Sequence, residues 1–139
     1  MLKKELLVIG AGPAGLAAAI EAAKGGVKDM LLVDLNMRPG GQLFKQIHKF
    51  FGSKAHRAGV RGVDTGDQML AEAKELGIEI WLNTACVGFF GDKMACLEKG
   101  KEDGTTEIVY MKADKIIIAT GGQENVVRFK GWTTPGVMG

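Results

Sequence analysis

The chain has 139 residues, 46% of them apolar and 24% charged, with a formal net charge of +2. That length fits one domain with a real core, and the charge is too small to argue for nucleic acid or for adsorption to a membrane surface. Glycine is the outlier: 21 residues is more than twice the usual share of about 7%, so many backbone positions must be tight turns or close approaches.

Residues 5–9, ELLVI, form a short apolar run ending at Gly10, the pattern of a strand buried on both faces. The start of the chain looks like a signal peptide only superficially. Gly10, Gly12 and Pro13 break its apolar stretch, and no small-residue cleavage pattern follows. No run reaches the roughly 18 apolar residues of a membrane span. Residues 14–24, AGLAAAIEAAK, predict a helix. It is apolar almost all round, so it is expected to be buried, with Gly25 and Gly26 as its stop. Residues 30–34, MLLVD, predict a second buried strand ending in a carboxylate.

Residues 36–42 read as a loop from their Pro-Gly-Gly signal. LFKQIHKFF at 43–51 predicts a short amphipathic helix with Leu43, Ile47 and Phe50 or Phe51 on one side. Residues 52–62 are basic and glycine-spaced. Lys45, Lys49, Lys54, Arg57 and Arg61 could recruit an anion, but without interleaved aromatics a solvated loop is the better reading. Thr65 and Gln68 match a capping box for a helix over 65–76, with Met69, Leu70, Ala73 and Leu76 as its apolar stripe and Gly77 just past its end. A third strand is expected at 78–82. ACVGFF, KMACLEK and TEIVYMK follow, separated by GD and GKEDG, and predict an antiparallel meander. KIIIA at 115–119 reads as one more buried strand. The element order places the chain in the α/β class, with a Rossmann-like parallel sheet.

Gly10, Gly12 and Gly15 form G-x-G-x-x-G between a strand and a helix. Each glycine answers a different demand: a tight turn, backbone approach to a pyrophosphate, and close packing of helix on strand. The pyrophosphate charge then lies on a helix N-terminus, and Pro13 suits the first helical turn. Asp34 follows at the end of the second strand. Its distance from the last glycine is close to the ~20 residues expected of a ribose-binding carboxylate. Together these features predict dinucleotide binding. The two cysteines, Cys86 and Cys96, are too far apart for a CxxC pair. They read as free thiols, and two histidines are too few for a zinc site. The chain is therefore expected to be cytoplasmic and to bind no metal.

The glycine motif, the meander and the segment ADKIIIATGG resemble the FAD domain of the two-dinucleotide-binding-domain flavoproteins, the pyridine nucleotide-disulfide oxidoreductase-like family. Residues 131–138, GWTTPGVM, are similar to a subgroup that contains hydrogen cyanide synthase and opine oxidase subunits, sarcosine oxidase α subunits and dye-linked amino-acid dehydrogenases. The resemblance implies FAD as cofactor, with contacts at Gly10, Gly12, Pro13, Ala14, Gly15, Asp34, Leu35, Gly41, Gln42, Cys86, Ala119, Thr120 and Gly121. For Cys86 it implies that the backbone, not the thiol, lies beside the adenine. It also implies that residues 1–139 are the N-terminal portion of an FAD-binding domain. The rest of that domain and the NAD(P) domain would lie elsewhere, and NAD(P) is expected only with the whole protein. A small-molecule substrate, and partner subunits or a homo-oligomer, are implied as well.

After the second strand, where disulfide reductases carry a redox cysteine pair, GGQLFKQIHKFF contains no cysteine, so dithiol chemistry at that position is excluded. The sequence names no catalytic acid or base, and His48 is better read as a surface side chain. Two other functions fit the glycine motif: an NAD-binding domain of a plain dehydrogenase, and a non-catalytic nucleotide-binding subunit of a complex.

Overall fold

The computed structural model describes residues 1–122, 125 and 127–137. Strand β1 (Leu2–Ile9) is followed by α1 (Pro13–Lys24), β2 (Met30–Val33), α2 (Gly62–Glu75), β3 (Glu79–Trp81), β4 (Thr84–Phe90), β5 (Met94–Gly100) and β6 (Thr106–Ile118). Short 3-10 turns lie at Gly41–Lys45 and Lys54–His56. The six strands make one mixed sheet in the order β3-β2-β1-β6-β5-β4.

Alternation along β1 explains how this sheet is covered. Leu6 and Val8 join a cluster with Leu16, Ala19 and Ile20 of α1 and Met69 and Ala73 of α2. Leu7 and Ile9 point to the other face, where they share a cluster with Ala95 and Leu97 of β5 and Met111 of β6. The antiparallel half of the sheet thus supplies the second cover for the parallel half. Leu7, Val8, Leu31, Leu32 and Val33 are wholly shielded from solvent, and each such side chain contributes roughly 1.5–3 kcal/mol. Both helices end as their glycines predict. Gly26 and Val27 donate to the Ala23 and Ala22 carbonyls, and Gly77 and Ile78 donate to those of Lys74 and Ala73, the paired bonds of a Schellman motif.

Five sequence expectations need correction. The stretches 106–112 and 115–119 are not two strands but one. β6 runs antiparallel to β5 as far as Lys112 and parallel to β1 from Met111 to Ile118. Its last residues are paired only with β1, so KIIIA is not fully buried and Ile118 is 65% exposed. Helix α1 buries one stripe, Gly15, Leu16, Ala19 and Ile20. Ala14 and Ala17 are small enough to face water at little cost, and Ala22 and Ala23 are only partly buried, which periodicity alone cannot tell from full burial.

The amphipathic helix at 43–51 is absent. Only Gly41–Lys45 winds, as a 3-10 turn, and Leu43 is its single buried residue. Residues 46–63 instead make an excursion closed at its base by backbone bonds from Phe50 to Val60, Gly59 to Phe50 and Val63 to Gln46. Ile47 and Phe51 stand in solvent. Finally, α2 starts at Gly62 with Arg61 as its cap, so there is no Thr65–Gln68 capping box. The Thr65 hydroxyl donates to the Arg61 carbonyl, and Gln68 accepts from Arg57. The helix can begin early because Gly62 lies against Gln46 and the Leu43 carbonyl, where no side chain would fit.

Candidate functional site

The carboxyl ends of β1, β2 and β6 open onto one cleft. In a sheet of this kind a ligand is expected at that position, where the strand order reverses. The cleft holds about 360 Å3, within the range of small-molecule sites. It is lined by Gly10, Gly12, Pro13, Ala14, Asp34, Asn36, Gly41, Gln42, Phe44, Lys45, Ala119, Thr120, Gly121 and Gly122. A second hollow of about 250 Å3 adjoins it, sharing Gly10, Asp34, Asn36 and Thr120 and adding Leu35, Thr84, Ala85 and Cys86.

The three motif glycines are explained by three different neighbours. Gly10 has φ +106°, and a Cβ there would strike the Ala119 carbonyl. A Cβ at Gly15 would strike the Gly10 carbonyl. Gly12 has no such conflict: the nearest atom to its Cβ position is the Gly41 Cα at 3.9 Å, and its φ is −72°. No internal packing demands glycine at that point. The free space faces the cleft, as approach by a ligand requires.

The N-terminus of α1 suits an anion. Its cap is Gly12, with no side-chain capping bond and no acidic residue in the first turn. The first N–H groups and the helix dipole therefore act on the cleft itself. The loop after β2 is tied to this point: Gly40 donates to the Ala11 carbonyl at 2.7 Å.

Asp34 is buried at 7% exposure. Its Oδ2 accepts from the Ala11 N–H at 2.6 Å. Its Oδ1 accepts from the Asn36 N–H at 2.7 Å and from Asn36 Nδ2 at 2.8 Å. The strand end is fixed from the far side too, since the Asp34 and Asn36 carbonyls accept from Thr84 and Asn83.

Twelve of the sequence-predicted residues thus line the two connected hollows, and Gly15 lies behind the wall beneath Gly10. Sequence reasoning missed Asn36, Phe44 and Thr84, and it set Lys45 aside with the solvated loop. No motif marks them; they arrive through the turn after β2 and through its pairing with residues 83–84. The basic cluster does not converge. Arg57 binds Glu72 at 2.6 Å and Arg61 binds Asp64, whereas Lys45 alone of the five lines the cleft. His48 is exposed, its ring edge-on to Phe50. Burial pushes the Cys86 thiol up, away from the nucleophilic thiolate. Among the described residues, no helix is long and apolar enough to cross a membrane. Gln123, Glu124, Val126 and Met138, which extend the resemblance noted above, lie outside the described residues.

Comparison with known proteins identifies the family and the fold. The family described as pyridine nucleotide-disulphide oxidoreductase matches residues 4–138. An opine oxidase subunit of Agrobacterium tumefaciens (strain Ach5) is 37% identical over 139 residues, covering 96% of this chain and 27% of that protein. Hydrogen cyanide synthase subunit HcnB of Pseudomonas aeruginosa is 33% identical over 141 residues, covering 95% and 27%. The solved structure of L-proline dehydrogenase from P. horikoshii has the same fold, with a TM-score of 0.72 at 20% identity over 91% of this chain and 24% of that one. The chain spans about a quarter of the length of these curated relatives. The homologues are FAD-binding flavoproteins and oxidoreductases.

Proposed function

The chain belongs to the pyridine nucleotide-disulphide oxidoreductase family, and from that premise we propose that it supplies the FAD-binding portion of a flavin-dependent oxidoreductase. The observation that carries this reading is the uncapped N-terminus of α1 opening, across Gly12, onto a cleft shared with Asp34 and the β6 end. When bound, the flavin supplies acceptance of a hydride or electrons from a reduced substrate. The residues of this chain hold and orient it. Gly10, Gly12, Pro13, Ala14 and Gly15 shape the pyrophosphate seat. Asp34, Leu35 and the backbone at Cys86 belong to the adenosine end. Gly41, Gln42, Ala119, Thr120 and Gly121 form the remaining walls.

An NAD-only dehydrogenase is the weaker reading, because the homologues are FAD-binding flavoproteins. The whole protein would oxidise a small amine or amino acid, or exchange electrons with NAD(P)H. The relatives named as subunits of opine oxidase and hydrogen cyanide synthase support a multi-subunit setting. Free Cys86 and Cys96 support a reducing compartment, the cytoplasm. Residues 1–139 contribute the adenosine and pyrophosphate contacts, so this chain by itself should hold FAD no more tightly than ADP. Titration with both ligands by calorimetry checks that point. Mass spectrometry of the cofactor released from the native protein should find FAD. Release of NAD without flavin would overturn the assignment.

A further inference from the structure

The formal charge of +2 conceals a separation of charge within the chain. Residues 35–63 hold six arginines and lysines and no aspartate or glutamate. The structure divides those six into two sets. All three arginines bind carboxylates of α2: Arg38 pairs with Asp67, Arg57 with Glu72 and Arg61 with Asp64. The three lysines, Lys45, Lys49 and Lys54, are exposed, and none has a carboxylate within ion-pair distance among the described residues. The arginine charges are neutralised within the molecule, and the lysine charges are not. Spacing along the sequence could not show that division.

The same segment presents apolar side chains to water. Phe51 is 98% exposed and Ile47 78%, and both lie within a few residues of Lys49 and Lys54. Their base is fixed. Phe50, the neighbour of Phe51, packs against the core. The backbone around it is closed by the bonds from Phe50 to Val60 and from Gly59 to Phe50, and by the pairing of Lys49 with Arg61. Phe51 therefore projects from a stapled base. A partner for it must be anionic, to meet the lysines, and must accept a ring that stands clear of any hollow. A phospholipid interface does both: its headgroups attract basic side chains, and its liquid boundary closes around an apolar tip. A protein partner would need a preformed acidic socket. The exposed apolar face of the meander is different, because Phe90, Ile108 and Tyr110 stand among the carboxylates Asp92, Glu98 and Glu107, which a negative surface repels.

We propose that the 46–54 tip is a peripheral docking surface for an anionic phospholipid bilayer, with Lys49 and Lys54 at the headgroups and Ile47 and Phe51 in the interface. This role is independent of the nucleotide cleft. One short tip with few basic residues gives weak, reversible attachment.

The full chain and its variants are sedimented with vesicles of two parts phosphatidylcholine to one part phosphatidylglycerol, and with phosphatidylcholine alone, at low ionic strength. The unaltered chain should prefer the anionic vesicles by about tenfold or more, and high salt should release it. Lys49→Gln with Lys54→Gln should weaken binding roughly fivefold per lysine. Phe51→Ser should weaken it about tenfold. Phe51→Trp should restore it, with a blue shift of emission on anionic vesicles that the parent, carrying Trp81 and Trp132, does not show. Phe129→Ser, at another exposed aromatic, should leave binding unchanged. All these positions are exposed, so thermal unfolding should not move. The proposal is overturned if the unaltered chain ignores anionic vesicles, if the lysine pair or Phe51 can be replaced without loss, or if Phe129→Ser removes binding. Binding to polyglutamate without binding to vesicles also overturns it, and assigns the lysines to an acidic protein segment instead.

Discussion

Two loops leave neighbouring strand ends and build the same cleft, yet they are built differently. The loop after β1, Gly10 to Gly12, is short and sterically determined: Gly10 abuts the Ala119 carbonyl, and Gly15 in the helix behind abuts Gly10. The loop after β2 runs from Asp34 to the start of α2 at Gly62. It is anchored at few points: the Gly40–Ala11 bond, buried Leu43, and the bonds at the base of the 46–63 excursion. Between Asp34 and Asp64 it contains no acidic residue, and Met37, Ile47 and Phe51 lie in solvent. In the first loop Gly10 is dictated by its neighbours and only Gly12 has open space beside it. In the second, a few anchors set the path, Phe50 packs partly against the core, and many of the remaining side chains lie in solvent.

The contrast is broken most severely at Gly10. Gly10→Val places a side chain on the Ala119 carbonyl at a φ that valine disfavours. Strain and overpacking together should cost about 3 kcal/mol or more. Thermal unfolding should show a collapse of the transition, with nucleotide binding lost as a consequence. Gly12→Val tests the same loop with the opposite expectation for folding. Because the space beside Gly12 faces the cleft, stability should fall by less than about 1 kcal/mol. ADP affinity should fall by about 100-fold or more, since the pyrophosphate must approach the backbone at that point. A Gly12→Val chain that is folded and binds ADP as tightly as the parent would remove the phosphate-seat assignment.

The same distinction explains what the sequence made legible. Gly12 could be read from its place in the motif alone, whereas Gly10, Gly15 and Asp34 could be read because each position is held by neighbours that few residue types satisfy. The helix ends at Gly26 and Gly77 were legible for the same reason. The 43–51 segment misled because its apolar spacing imitates a helix, whereas only Leu43 finds a buried site. The capping box at Thr65 and Gln68 misled because the contact that sets the start of α2 is made by Gly62 against Gln46, residues that no local pattern connects. Likewise, the continuity of β6 depends on pairing with β5 on one side and β1 on the other. Asn36 carries no motif at all; it enters the site through the fold around Asp34 and Asn83.

The second loop should tolerate change where the first does not. Phe51 is 98% exposed, so Phe51→Ser should shift stability by no more than about 0.5 kcal/mol and leave ADP affinity unchanged. Calorimetry and thermal unfolding on one sample measure both. A loss of affinity would show that the excursion reaches the bound nucleotide, and the two loops would then be equally constrained.

The smallest effect is expected at the cysteines, and it tests whether a wall of the cleft can be chemically silent. Cys86 lines the smaller hollow beside Thr84 and Ala85, and Cys96 is buried on the neighbouring strand β5. Position alone would make Cys86 a candidate redox group. Its environment argues otherwise: burial pushes the thiol up, which lowers the thiolate fraction at neutral pH and so the nucleophilicity. No CxxC partner is present to resolve a disulfide. Cys86→Ser with Cys96→Ser, made in the whole protein, should leave flavin content and the rate of flavin reduction unchanged. In the unaltered chain, Cys86 should react with a thiol reagent more slowly than an unfolded control. A collapse of turnover at preserved flavin content would show that this wall of the cleft carries chemistry as well as shape.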